Sequence, residues 1–156
     1  MKASHWIIPA AALSFVQATP ASAGVNDPEV IIYRFPGVKD DGGAPGVGVA
    51  TVFHCTNFSG ATETVRVVAR NLVGGLLNND SGPVSHLGTR TFTTHTTVAY
   101  GGQVLDTGAV VVGTTAIAAT STNIVCTAMT INAANSDPVG VALRGIRFNP
   151  VPGSQE

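Results

Sequence analysis

Beyond residue 23, the side chains able to do chemistry are His54, His86 and His95, the cysteines Cys55 and Cys126, and a few carboxylates. Neutral imidazoles suit Zn²⁺ or Cu²⁺. The three histidines match no ligand spacing, however, and in an extended segment His54 faces away from Cys55, so they read as structural. Ser85-His86 with Asp80 or Asp106 supplies the residue types of a hydrolytic triad, but the Gly-x-Ser-x-Gly elbow is missing. Asp40-Asp41 could offer oxygen ligands to Ca²⁺. It lacks the alternating acidic pattern of an EF-hand loop and reads as a solvated turn. Gly46-Val47-Gly48 echoes a dinucleotide loop without its third glycine, and it leads into a strand. The expectation is no catalytic residue, no metal and no cofactor.

The cysteines are more informative. Lys2, the apolar stretch 6–16 and Ala21-Ser22-Ala23 have the layout of a secretory signal peptide over residues 1–23. A chain so addressed meets an oxidising compartment, periplasmic or extracellular, where two cysteines pair. No Cys-x-x-Cys or Cys/His cluster surrounds either one. A Cys55–Cys126 disulfide closes a loop of about 70 residues and stabilises the fold by about 4 kcal/mol in the chain-entropy picture.

The elements that must carry these residues read as strands. Residues 30–35 are β-branched and aromatic, and Pro36-Gly37 ends them. In 47–56, Val47, Val49, Thr51, Phe53 and Cys55 share a face. In 62–72, Val65, Val67 and Ala69 face one way and Arg66 and Arg70 the other. A turn at 57–61 joins these two segments as a hairpin. Gly74-Gly75 and the run 78–83 read as breaks, and 84–100 as one or two strands. The apolar run 108–119 is interrupted by Gly113-Thr114-Thr115 and fits two short strands. In 123–131, Ile124, Cys126 and Ala128 share a face, and 139–148 is a last strand bent near Gly145. Turn signals every 8 to 12 residues, with no helical period, predict an all-β antiparallel β-sandwich with one inter-strand disulfide, forming a single domain over 24–156.

The stretch Cys55-Thr56-Asn57-Phe58-Ser59-Gly60-Ala61-Thr62-Glu63-Thr64-Val65-Arg66-Val67 resembles the opening hairpin of exported bacterial Ig-like domains. The resemblance implies an Ig-like sandwich of adhesion or accessory type. The chain departs from antibody domains in two ways. Its one tryptophan, Trp6, lies in the signal, and Ile124 stands where a tyrosine corner would place Tyr.

Charge excludes a further class. Eight Lys and Arg against nine Asp and Glu, with the arginines scattered, leave no basic stripe for a phosphate backbone, so nucleic acid is not an expected partner. No second apolar stretch reaches the roughly 20 residues of a membrane span. Sugar platforms need exposed aromatics, and Phe58, in a turn, is the one expected to be an exposed contact. Asn57-Phe58-Ser59 and Asn79-Asp80-Ser81 match the glycosylation sequon, though turn chemistry accounts for both. These readings converge on a noncatalytic exported module that contacts an unidentified protein or surface component. Self-association into a fibre is the alternative, and a small secreted hydrolase or metal-binding protein a more distant one.

Overall fold

The computed structural model describes residues 29–148, so the signal expected over 1–23 and the tail from residue 150 lie outside the described residues. Ten strands and no helix make up this region. They are β1 (Val30–Asp40), β2 (Val49–Asn57), β3 (Glu63–Asn71), β4 (Leu76–Val84), β5 (Thr89–Thr93), β6 (Gln103–Val104), β7 (Val110–Ala119), β8 (Ile124–Asn132), β9 (Gly140–Leu143) and β10 (Ile146–Arg147). One sheet runs β10-β1-β7-β3-β4 and the other β6-β5-β2-β8-β9. All neighbours are antiparallel except β5 and β6.

Alternation places the core. Val65, Val67 and Ala69 of β3 are buried while Arg66 and Arg70 of the same strand are not. Opposite them, Phe53 and Cys55 of β2, Phe92 of β5 and Ile124, Cys126 and Ala128 of β8 point inward to meet Ile32, Phe35 and Ile117 of the first sheet. Each of these large apolar side chains contributes roughly 1.5–3 kcal/mol by leaving water. The Phe35 ring meets Phe53 edge-on, with centroids 5.7 Å apart, which ties the layers together at the centre.

Cys55 and Cys126 form the disulfide. They are directly opposed residues on the neighbouring strands β2 and β8, with Cα atoms 4.2 Å apart. The bridge therefore braces one sheet, whereas that of antibody domains joins two.

Several sequence expectations need correction. Strands β2 and β3 are not a hairpin: β2 pairs with β5 and β8, β3 with β4 and β7, so residues 58–62 carry the chain from one sheet to the other. Both strands present an apolar face to the same core from opposite sides, which local alternation cannot distinguish from a hairpin. Residues 78–83 do not break the chain but lie in β4, an edge strand, where Pro83 lacks only an outward-facing donor. Pro36-Gly37 does not end β1, which continues to Asp40 through register shifts around Pro36 and Val38. Within the run 108–119, residues 110–119 form one strand, because Gly113 sits between partners on both sides, Val38 and Asn71. The bend near Gly145 is a change of sheet, from β9 to β10. A Cβ there would lie 2.4 Å from the Phe35 ring, so only glycine lets the chain cross.

Both sheets end in loops at the same two poles. At one pole, residues 41–48, 72–75, 94–102, 105–109 and 133–139 gather beyond the ends of β1, β3, β5 and β8. At the other, residues 58–62, 85–88 and 120–123 gather beyond β2, β4 and β7.

Candidate functional site

Two buried polar hubs hold these poles, and the one at the first pole is ionisable. Asp40 closes β1 and is 2% exposed, and His95, just beyond β5, is 8% exposed. His95 Nδ1 lies 2.7 Å from Asp40 Oδ2, and its Nε2 lies 3.0 Å from the Val47 carbonyl oxygen. Asp40 Oδ1 accepts the Gly42 N–H at 2.7 Å. Local sequence makes this turn. Asp40 and Asp41 each accept an amide two residues ahead, the short-range bond that these side chains form so readily. Asp41 also accepts the Val49 N–H at 2.9 Å. Gly48, at φ +81°, leaves room for that contact, since a Cβ would fall 1.9 Å from Asp41 Oδ2.

The expectation of a solvated turn thus holds for Asp41, which is exposed, and fails for Asp40. The backbone amides of Val49 and Gly43 hold the Asp41 carboxyl below its ordinary range, with the His95 charge a lesser contribution.

Ligand-type atoms of Asp40, Asp41 and His95 all lie within 4.8 Å of one another, and these residue types suit a divalent cation. The contacts describe a closed hydrogen-bonded cluster instead. Both ring nitrogens of His95 already face oxygen, and every carboxylate oxygen of the two aspartates already accepts a protein donor or faces the ring.

The other singled-out residues are dispersed. His54 lies on the outer face of β2, with Nδ1 3.0 Å from Thr91 Oγ1 and the Tyr100 ring edge-on at 4.7 Å. Burial alone lowers its pKa below the ordinary histidine value. His86 Nδ1 accepts the Gly60 N–H at 3.0 Å in the opposite pole. Asp80 accepts the Gln103 side-chain amide, and Gln103 in turn accepts from Arg90, a polar clasp between the edge strands β4 and β6. No triad of Ser85, His86 and Asp80 forms among these contacts. Asn57 is fully buried with both its amide protons engaged, which explains the first sequon as architecture. Phe58, beside it, is 52% exposed.

Sequence reasoning missed the pairing of Asp40 with His95. The two are 55 positions apart and lie in segments read as loop and strand. The one local clue was the Asp-Asp-Gly-Gly run, whose turn chemistry fixes an aspartate at a strand end.

The first pole also exposes apolar side chains. Leu72, Val73 and Val139 are 75%, 87% and 90% exposed, and Val47, Val98 and Val111 are exposed at the same end of the sheets. Among the described residues, no helix is long and apolar enough to cross a membrane. Comparison with known proteins finds no matching family model, no matching curated protein and no matching solved structure.

Proposed function

We propose that this chain is a noncatalytic, exported interaction module of Ig-like sandwich type, whose contact surface is the loop pole carrying Leu72, Val73, Val98, Val111 and Val139. The observation that carries this reading is the gathering of these exposed apolar residues in four separate loops or strand ends at one pole. Isolated exposed valines need no explanation, whereas several apolar side chains presented at one end offer a surface that an apolar partner can cover. The expected partner is an envelope or surface protein that presents an apolar face. The braced two-layer scaffold and the signal-like leader favour a module that works outside the cytoplasm.

Native size tests this reading. Protein extracted from the producing cell's envelope without reductant should sediment as a complex larger than one chain. A variant combining Leu72→Ser, Val73→Ser and Val139→Ser should melt normally yet sediment alone. An unaltered protein that sediments as a single chain would overturn the reading.

A second reading is self-assembly through β9. This edge strand of the second sheet, Gly140–Leu143, carries no charge and no proline within its span, although these are the usual guards of an edge. Here the complex would be a ladder of identical chains, abolished by Val141→Lys and untouched by the triple serine variant.

A further inference from the structure

The ring of His95 has an unusual set of partners. A neutral imidazole carries one proton and offers one acceptor nitrogen. Both neighbours of His95 are acceptors: the Asp40 carboxylate at Nδ1 and the Val47 carbonyl at Nε2. Only the doubly protonated ring donates to both. We infer that His95 is a pH-operated latch, whose imidazolium clasps β1 to the 41–48 loop and whose deprotonation releases that loop.

Which bond breaks follows from burial. A neutral ring that kept its proton on Nε2 would turn a lone pair towards a buried carboxylate, a costlier arrangement than facing a neutral carbonyl. The remaining proton therefore stays on Nδ1, against Asp40, and the Val47 carbonyl loses its donor. The middle of the loop then depends on Val47 N–H to Ala44 O at 3.0 Å and Gly46 N–H to Thr96 O at 2.8 Å. Its ends stay held by Gly42 N–H to Asp40, Asp41 N–H to Val49 O, Ala133 N–H to Gly48 O and the two amides held by Asp41.

The charged groups facing the ring act in one direction. Asp40 touches it, and Asp41, on the loop itself, senses its charge. The residues hydrogen-bonded to the segment after β5, Thr51 of β2 and Ala133 after β8, contribute no titratable side chain. Lys39, next to Asp40 in β1, is exposed, and Tyr100, in the segment after β5, packs its ring on His54. Both facing groups are acidic. The device stands on this geometry and does not depend on what the pole binds, although Val47 is among the residues exposed there.

The test uses the intact disulfide-bonded protein. Ring ¹⁵N spectra should show both His95 nitrogens protonated at low pH and a single protonated nitrogen, Nδ1, after the ring titrates. Amide exchange, corrected for the intrinsic pH effect, should show Gly46 and Val47 losing protection by about tenfold or more across the same transition, the worth of one charge-assisted hydrogen bond. Amides within β3, such as Val67, should not change. In His95→Gln the protection of Gly46 and Val47 should no longer vary with pH. The latch is overturned if the ring nitrogens give unchanged signals between about pH 5 and pH 9, the range in which a histidine switch works. Constant protection of Gly46 and Val47 through the ring titration overturns it as well. Both readouts come from the unaltered protein, so they decide the question even if the glutamine variant fails to fold.

Discussion

The two poles solve one structural problem with different chemistry. At each, a buried polar side chain ties together segments belonging to both sheets. At the far pole Asn57, which ends β2, donates from Nδ2 to Ala61 O at 2.7 Å and to Val84 O at 2.8 Å, and accepts from Ser59 N–H at 2.8 Å. Its backbone adds bonds to Gly88 O and from Leu87 N–H. At the near pole, Asp40 and His95 join β1, the segment after β5 and the loop before β2. An amide has donors and an acceptor in fixed number at every pH, so the Asn57 hub is constant. An imidazole gains or loses a donor within the physiological range, so the His95 hub is conditional. The constant hub sits under a short turn, and the conditional one under the loops that expose Val47, Leu72, Val73, Val98 and Val139. Satisfying buried polar groups is thus separable from fixing them permanently.

The disulfide deepens this asymmetry. Cys55 lies two residues before Asn57, and Cys126 two after Ile124, so the covalent brace belongs to the constant half of the molecule. Replacing both cysteines with alanine should lower unfolding free energy by about 4 kcal/mol, given the long loop that the bridge closes. Urea unfolding with and without reductant checks this, and coincident curves would show that the brace contributes nothing. If the contrast between poles rests on the bridge, amide protection around Asn57 should fall towards that of the 41–48 loop on reduction.

A smaller break comes from Asn57→Ala. Truncation leaves the Val84 carbonyl without the donor it has in the interior and takes one bond each from the Ser59 N–H and from the Ala61 carbonyl, which keeps Ser59 Oγ. At about 1–3 kcal/mol for a buried group left unsatisfied, the loss should be near 2 kcal/mol. The loss should be the same at acid and neutral pH. Chemical denaturation at two pH values measures it, and a pH-dependent difference would erase the distinction between the hubs.

Legibility of the fold in the sequence follows range of action. The alternation of Val65, Val67 and Ala69 against Arg66 and Arg70 and the inward Ile124, Cys126 and Ala128 follow from near neighbours, the disulfide is expected from the even cysteine count and the signal-like leader, and each is present. Assigning strands to sheets was beyond reach, since a strand carries no mark of the partner it will meet. That is why residues 58–62 read as a hairpin turn when they are a crossing. Edge strand β4 was hidden by Asn, Asp, Gly and Pro, which an edge tolerates on its unpaired side. For the ionisable hub, turn chemistry marked Asp40 locally, but its partner arrives from a segment that only the packed sheets bring near.

His54 supplies the finest test of the comparison, because its pH response runs opposite to that of the latch. It sits half-buried on the outer face of β2, and burial lowers its folded pKa below the ordinary value of about 6.5. The unfolded chain then binds more protons than the native one just below that value, so stability rises with pH there. The contribution of His54 is complete above about pH 6.5 and is lost as pH falls from there through its lowered folded value. The His95 latch gives the reverse sign, tightening in acid. Because His54 keeps contact with solvent, its share is small and is read as a difference: on going from pH 7 to about pH 5 the unaltered protein should lose slightly more global stability, or gain slightly less, than His54→Gln. Local exchange at Gly46 and Val47 should move the other way in the same samples. Opposite signs from two histidines in one molecule would locate each effect at its own pole or face, whereas a common sign would assign both to the global charge.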